Sequence, residues 1–297
     1  MNGVAWFFSI FVAVLFCVLF GLTFVRQYAR YNSYRLSVLV GVNLPPRLEP
    51  AISARLMARD RGTAIGAFAF AVAAVLAFQF GIFAGADSYY AFLFVAGTAV
   101  TGACVGSAVA AFSGSRTIAP DAPRVARSSV AAVADYVHPI ERIGVRVVVA
   151  ASVVVLIVAA TTTTGIPILV TAFLTVMGVA SLALFEVVSR RIVDRSQPAG
   201  STADLVWDDA IRSSLLRDLL TAPAALGAFG LIFATATLID NGTASSTATD
   251  ATSLGLSFSG LAVALYGRFS RPRRYFVGRL WPNLRWSDTA DEMTDAA

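Results

Sequence analysis

Residues that commonly perform acid–base chemistry are scarce in this chain. The single histidine, His138, precedes Pro139 and lies close to Glu141 and Arg142. We interpret it as a surface or junction residue. A different hypothesis is that the protein is an enzyme that acts on lipids at the membrane edge. In that case His138, Glu141 and Asp209 would be its acids and bases. No histidine lies in an apolar run, where it would be needed as the base for a serine nucleophile such as Ser257.

The common catalytic and metal-binding motifs are also missing. The sequence contains neither HExxH nor the phosphate-binding GxxxxGK[ST] loop. All 23 basic residues are arginine, which excludes chemistry that requires a lysine. Cys17 and Cys104 both lie in apolar runs and form no metal-binding cluster. The sequence therefore predicts a protein that is not an enzyme and that has no cofactor and no metal site.

Composition places the chain in a membrane. It is 57% hydrophobic and 14% charged, with a mean hydropathy of +0.72, whereas soluble domains carry about 25% charged residues. Long charge-free runs predict an all-α membrane protein with about seven transmembrane helices, arranged as one helix plus three hairpins. The run from Val147 to Phe185 is about twice as long as one span needs and is expected to turn at TTTTGIP, residues 161–167. The predicted spans are residues 4–25, 62–85, 89–113, 146–163, 166–187, 219–239 and 252–267.

The arginines predict the orientation. All of them fall in segments 26–61, 116–146, 190–217 and 268–285, and none falls in the three alternate loops. Because basic loops remain cytoplasmic, the N-terminus is expected outside and the C-terminus on the cytoplasmic side of a plasma (inner) membrane. Residues 1–286 would form one polytopic domain, followed by a disordered acidic tail at 287–297.

The three hairpins share features at their ends. Each begins with an adjacent charge pair: Arg59-Asp60, Glu141-Arg142 or Arg217-Asp218. Each ends with Ser-Arg, at residues 115–116, 189–190 and 270–271. The similar spacing is typical of internal repeats. Alternatively, any hairpin needs charges at its cytoplasmic ends, and the sequence leaves both explanations open.

An amphipathic segment precedes the third hairpin. Trp207, Ile211 and Leu215 recur every four residues, while Asp208 and Arg212 form an i,i+4 pair on another face. This pattern predicts an interfacial helix, and a sharper hypothesis is that Trp207, Asp208, Ile211 and Arg212 dock a partner. Segments 45–61 and 121–137 have similar patterns, so interfacial helices are expected there too.

The C-terminal stretch RFSRPRRYFVGRLWPNLRW, residues 268–286, combines arginines with aromatic residues. Because it follows the last predicted span, its arginines are expected to attract anionic lipid headgroups and its rings to lie at the interface, in preference to nucleic acid. The predicted membrane-interface anchor comprises Arg271, Arg273, Arg274, Tyr275, Phe276, Trp281 and Trp286.

Packing and polar features complete the prediction. GxxxG spacings at 62–66, 81–85 and 102–106 predict a tight hairpin. Glu186 is expected to pair with Arg190 one turn later. Hydroxyl residues in the later spans either line a polar path or bond back to their own helix. The path would include Thr161, Thr171, Thr235 and Ser257.

Two segments, GVNLPPRLEPAISARLMARDRGTAIG and STADLVWDDAIRSSLLRDLLTAP, resemble uncharacterised actinobacterial multi-pass integral membrane proteins. That group has no assigned activity and is associated with regulator and transporter operons. The resemblance therefore implies a bacterial source and a bacterial plasma (inner) membrane, and it identifies no functional residue. Our first hypothesis is a non-enzymatic accessory or structural subunit, with a membrane-protein partner or a second copy of itself, beside a transport system. The alternative is a small-solute transporter or permease with its path between the hairpins.

Overall fold

The described residues are helical and contain no strand. A computed structural model of the chain describes residues 14, 16–18, 20–41, 43–81, 88–113, 131–162, 164–195, 199, 201–240 and 275–282. The helices are α1 (Arg26–Val40), α2 (Glu49–Gln79), α3 (Ser88–Ser113), α4 (Val133–Tyr136), α5 (Pro139–Thr162), α6 (Ile166–Asp194), α7 (Thr202–Asp240) and α8 (Tyr275–Leu280).

Five of these helices, α2, α3, α5, α6 and α7, are long and apolar enough to cross a membrane. They coincide with the second to sixth predicted spans. The first predicted span is described only in part, with helical backbone at 16–18 and 20–22. The seventh predicted span, 252–267, lies outside the described residues, as does the predicted tail at 287–297.

Glycine pairs hold α2 and α3 together in the tight hairpin that the sequence predicts. A Cβ on Gly62 would lie 2.6 Å from the carbonyl oxygen of Gly106, and one on Gly66 would overlap the carbonyl of Gly102. Two GxxxG spacings therefore face each other, and the backbones meet where no side chain fits. The third spacing ends at Gly85, outside the described residues.

The turn between α5 and α6 is also as predicted. α5 ends at Thr162, and α6 begins at Ile166 with Pro167 in its first turn. Gly165 has a φ of 89°, a left-handed conformation that residues with a side chain rarely adopt. The proline is tolerated because the first helical N–H groups need no partner within the helix.

The structure differs from the prediction where segments preceding spans two and six were expected to form separate interfacial helices. Segment 45–61 continues into its span as α2, and the Trp207 segment continues into its span as α7. The charged residues between segment and span interrupt neither helix, because arginine and aspartate do not break helices as proline or glycine do. α7 packs against α5, α6 and α3 and forms the centre of the described bundle.

Within α7, Pro223 removes a hydrogen bond without ending the helix. Proline has no N–H, so the carbonyl of Leu219, four residues earlier, loses its helical donor. The thiol of Cys104 on α3 lies against that carbonyl, with Sγ 3.9 Å from the oxygen. Neighbouring helices satisfy freed carbonyls in this way inside membranes.

Candidate functional site

The largest buried core lies at one end of the bundle. We call this end, at which Arg59, Arg142, Arg190 and Arg217 lie, the arginine end. Its buried apolar side chains come from α1, α2, α3, α6, α7, α8 and the α4 region, and include Leu36, Leu56, Tyr136, Phe185, Trp207 and Phe276. A polar network runs through this core and around it, and this network is the candidate site.

Asp209 is the most deeply buried acid of the network. Its side chain lies on α7 with 0% exposure. Oδ1 accepts a hydrogen bond of 2.8 Å from the hydroxyl of Tyr136, and Oδ2 accepts one of 2.9 Å from the indole Nε1–H of Trp281. A carboxylate this deep is stable only with such donors. Asp209 therefore joins α4, α7 and the residue that follows α8.

The four residues predicted to dock a partner contact segments of their own chain. Trp207 is buried, and its Nε1–H donates to the carbonyl of Asn43 at 3.1 Å. Ile211 is buried in the core. Asp208 makes the predicted pair with Arg212 at 3.0 Å and a second pair with Arg55 of α2 at 2.7 Å.

Arg212 also donates to the carbonyls of Val193 and Arg195, at and beyond the end of α6. These bonds satisfy carbonyls that have no helical donor at a C-terminus. The predicted docking surface is thus occupied within the molecule, by the α1–α2 connection, α2 and the end of α6.

The predicted anchor residues divide between the interior of the protein and its edge. Phe276 is completely buried and Trp281 bonds to Asp209, so these two rings face the protein core and not the membrane-facing side that the sequence predicts. Tyr275 is half-buried and packs edge-on against His138, with ring centroids 4.9 Å apart. The other predicted anchor residues, Arg271, Arg273, Arg274 and Trp286, lie outside the described residues.

The charge pairs that begin the three hairpins are connected in space. Arg59 of α2 lies 3.2 Å from Asp218 of α7, and the neighbouring Arg217 lies 3.6 Å from Glu141 of α5. Arg142, next to Glu141, lies 3.7 Å from Glu186 of α6. We call this connected series the ion-pair belt. It links α2, α7, α5 and α6 at the arginine end.

Glu186 extends the belt to α6 and has different partners from the one that its sequence spacing predicts. It was expected to pair with Arg190 on its own helix, but it pairs with Arg142 and Arg146 of α5. Arg190 lies one turn away on the same helix, and its side chain is exposed to the surroundings of the protein. The local i,i+4 spacing was a poor guide because two arginines of the adjacent helix offer the carboxylate more charge.

A polar cavity of about 60 Å³ lies beside Arg59, between α1, α2 and α7. Its lining includes Asn32 and Arg35 of α1, Asp60 of α2 and Asp218 of α7. Asn32 donates to Asp60 at 2.8 Å, and Arg59 donates to Ser214 at 3.1 Å. The polar residues of α1 give no signal in the sequence, because their neighbours on α2 and α7 are distant along the chain.

The three candidates for a lipid-directed enzyme have different partners. His138 accepts the backbone N–H of Ile140 through Nδ1, Glu141 lies beside Arg217, and Asp209 binds Tyr136 and Trp281. Among the described residues, no group of three or more His, Cys, Asp or Glu side chains is arranged to hold a metal ion. The geometry supports structural roles for these groups.

The fold and composition define a multi-pass membrane protein. No protein-family model matches the chain, and no curated protein or solved structure matches it either.

Proposed function

We propose that this protein is a non-catalytic accessory or structural subunit in a bacterial plasma membrane, positioned beside a transport system. In this proposal the chain crosses seven times, with the N-terminus outside and the arginine end in the cytoplasm. The observation that supports it most is the ion-pair belt. Its charged groups bind each other across four helices, as expected for a rigid scaffold, whereas a catalytic or transport site would hold them ready for a substrate.

The hydrogen bonds of the threonine hydroxyls in the spans favour an accessory subunit over a permease. Thr161 donates to the carbonyl of Val158 and Thr235 to that of Leu231, each within its own helix. Thr171 is buried in α6, and Ser257 lies outside the described residues. Hydroxyls that bond back to their helix leave a span apolar toward its neighbours, which is their usual role.

One outer surface is suited to a membrane partner. Ile143, Val147, Val154 and Ile157 follow each other at intervals of three, four or seven residues along α5, and each is more than half exposed. This spacing places them on one face of the helix. An accessory subunit would offer such a face to the helices of its partner.

Site-specific photocrosslinking in native membranes tests the proposal. A photoreactive residue at Val154 is expected to trap a discrete membrane-protein adduct, identified by mass spectrometry as a transport component. The same residue at Val149, which is buried on the same helix, is the matched control and is expected to trap none. Adducts with lipid alone at Val154, and at further positions along this face, would contradict the proposed role.

The permease alternative has its own test. Single cysteines are placed at Thr161, Thr171, Thr235 and Ser257 in a cysteine-free background. The cysteines at 171, 235 and 257, within the proposed spans, are expected not to react with water-soluble thiol reagents. Thr161 lies at the end of α5 and serves as the reactive control. Labelling along the whole set would establish a water-filled path and overturn the scaffold proposal.

A further inference from the structure

The hairpin of α5 and α6 changes from apolar to charged at the arginine end. Its charge-free stretch runs from Val147 to Phe185, so Arg146 on α5 and Glu186 on α6 are the first charged residues beyond it. Both helices are long and apolar enough to cross a membrane. Charged residues that directly follow an apolar span lie at the level of the lipid headgroups. Arg146 and Glu186 therefore mark that level on two adjacent helices.

Arg146 has hydrogen-bond donors that its pair with Glu186 does not use. It donates to Oε1 of Glu186 through Nε, at 3.2 Å, and through Nη2. A guanidinium has five N–H donors, so the two on Nη1 take no part in this pair. The Arg146 side chain is 48% exposed. A ligand can therefore bind Nη1 of Arg146 while the pair with Glu186 stays intact.

Arg190 and Arg191 add positive charge beside this pair. Arg190 lies one helical turn beyond Glu186 on α6, and Arg191 follows it. Both side chains are exposed, and neither makes an ion pair with any residue that the structure describes. Their guanidinium groups are therefore available to a ligand outside the protein.

The charge balance at this end of the hairpin is positive. Glu141 of α5 and Arg217 of α7 pair with each other, so they contribute no net charge. The other charged residues of α5 and α6 are four arginines and two acids: Arg142, Arg146, Arg190, Arg191, Glu186 and Asp194. A surface with this excess of arginine attracts headgroups that carry a net negative charge.

Exposed valines of α6 continue from these arginines toward the middle of the span. Val187, Val179 and Val176 are 53%, 43% and 60% exposed. Val187 lies three residues before Arg190 and four before Arg191, and the other two valines lie eight and eleven residues before Val187. These spacings place all five residues on one face of α6. A molecule with a negative headgroup and an apolar chain matches this order of groups.

We propose that the arginine end of the α5–α6 hairpin binds an anionic phospholipid. Arg190 and Nη1 of Arg146 donate to its phosphate, which suits the geometry of a guanidinium. One acyl chain lies along Val187 and Val179. A free phosphate offers the same oxygens but has no chain to cover the valines. The proposal requires only that α5 and α6 cross a membrane, so it does not rest on the orientation of the chain or on the accessory role.

Phosphatidylcholine provides the matched comparison for phosphatidylglycerol. The two lipids share the phosphate and the acyl chains, but the quaternary ammonium of choline cancels the negative charge. Because the arginines outnumber the acids, the site is expected to prefer phosphatidylglycerol. An arginine near a membrane surface contributes a factor of about five in affinity for a negative headgroup, so two of them are expected to give a preference of about twentyfold.

Native mass spectrometry of the full chain, released from nanodiscs with equal amounts of the two lipids, measures this preference. Arg190→Gln is expected to lower the preference about fivefold. Arg190→Lys is expected to keep most of it, because the charge remains. Circular dichroism of each variant shows whether it remains folded, as expected for a substitution at an exposed side chain.

Arg47→Gln is the control for the loss of one positive charge. Arg47 is also exposed, but it precedes α2 and donates to Ser201. Its substitution is expected to leave the preference unchanged. Equal retention of the two lipids by the wild-type protein would overturn the proposal, as would an unchanged preference in folded Arg190→Gln.

A photoreactive lipid tests the position of the site in the wild-type protein. Phosphatidylglycerol with a diazirine in one acyl chain, close to the glycerol, is irradiated in nanodiscs, and the adducts are located by mass spectrometry of peptides. They are expected to concentrate on α6 around Val187, and phosphatidylcholine with the same diazirine is expected to give several times fewer there. Adducts spread evenly over the outer helices would contradict the proposed site.

Inorganic phosphate at millimolar concentration distinguishes a phospholipid from a free anion. The retained lipid is expected to stay bound, because its acyl chain also contacts the valines of α6. Complete displacement by phosphate would show a site for a free anion and would overturn the assignment to a phospholipid. Neither result bears on the crosslinking at Val154 that tests the accessory role.

Discussion

The indole of Trp281 donates a 2.9 Å hydrogen bond to the carboxylate of Asp209, across 72 residues of chain. The acid has no exposed surface and also accepts from Tyr136. One buried charge thereby attaches the C-terminal helix α8 to the centre of the molecule. A second contact, between Arg279 and Asp135 at 3.6 Å, joins α8 to α4 nearer the surface.

Removing the Asp209 carboxylate is expected to destabilise the protein more than any exposed acid does. Asp209→Ala removes the carboxylate that accepts from the buried Tyr136 and the half-buried Trp281, so we expect a loss of about 3 kcal/mol in the free energy of unfolding. Unfolding by SDS titration in mixed micelles measures this. Glu49→Ala is the control, because Glu49 makes an exposed pair with Arg30 at 3.8 Å and is expected to cost about 0.5 kcal/mol. Equal losses for the two variants would show that Asp209 contributes no more to stability than an exposed ion pair does.

Because of the ion-pair belt, replacing Arg59 is expected to lower the free energy of unfolding much more than replacing Arg47. Arg59→Gln removes the charge that two carboxylates share, and its expected cost is about 2 kcal/mol. Arg47→Gln, which loses only a hydrogen bond to Ser201, is expected to cost about 0.5 kcal/mol. A double-mutant cycle of Arg59→Gln with Asp218→Asn should give a coupling of about 1 kcal/mol or more. Simple additivity of the two substitutions is the contrary result.

Two glycine-to-alanine substitutions are expected to have opposite effects on the stability of the protein. Gly66→Ala places a methyl group against the carbonyl of Gly102, which should separate α2 from α3 and cost about 2 kcal/mol. At Gly144 a Cβ meets nothing within 4 Å, so Gly144→Ala should stabilise α5 by about 0.5–1 kcal/mol. The same unfolding titration compares them, and a destabilising Gly144→Ala would show that a partner covers this position.

Cysteine accessibility tests the orientation. In a background with Cys17 and Cys104 replaced by alanine, Thr164→Cys probes the α5–α6 turn and Glu49→Cys probes the arginine end. A membrane-impermeant maleimide should label Thr164→Cys in intact cells, and Glu49→Cys only after the cells are opened. The reversed pattern would place the arginines outside and overturn the threading.

Features of the fold that depend on local properties of the sequence were predicted correctly. Charge-free runs predicted about seven spans, and five of these correspond to long apolar helices among the described residues. Gly165 and Pro167 predicted the turn between α5 and α6. Apolar length and backbone restrictions are local properties, so the sequence is enough to predict them. The facing glycines of α2 and α3 were predictable for the same reason: consecutive helices joined by a short loop must pack against each other.

Contacts between distant segments were not predictable in this way. Nothing near Asp209 indicates that Tyr136 and Trp281 will donate to it, and the pattern at Trp207 fits a membrane surface as well as a protein core. Both environments reward a buried apolar face, so periodicity cannot distinguish them. The three charge pairs were visible as a repeated feature, yet their connection into one belt depends on how the hairpins pack.

Arg217 and Asp218 are consecutive residues, so their side chains leave α7 about 100° apart, and each meets a different helix. Only one rotation of α7 about its axis and one height along the bundle satisfy Glu141 and Arg59 together. The adjacent opposite charges therefore help to set both the angle and the depth of the central helix, and they do so at the level where α2 and α5 approach it.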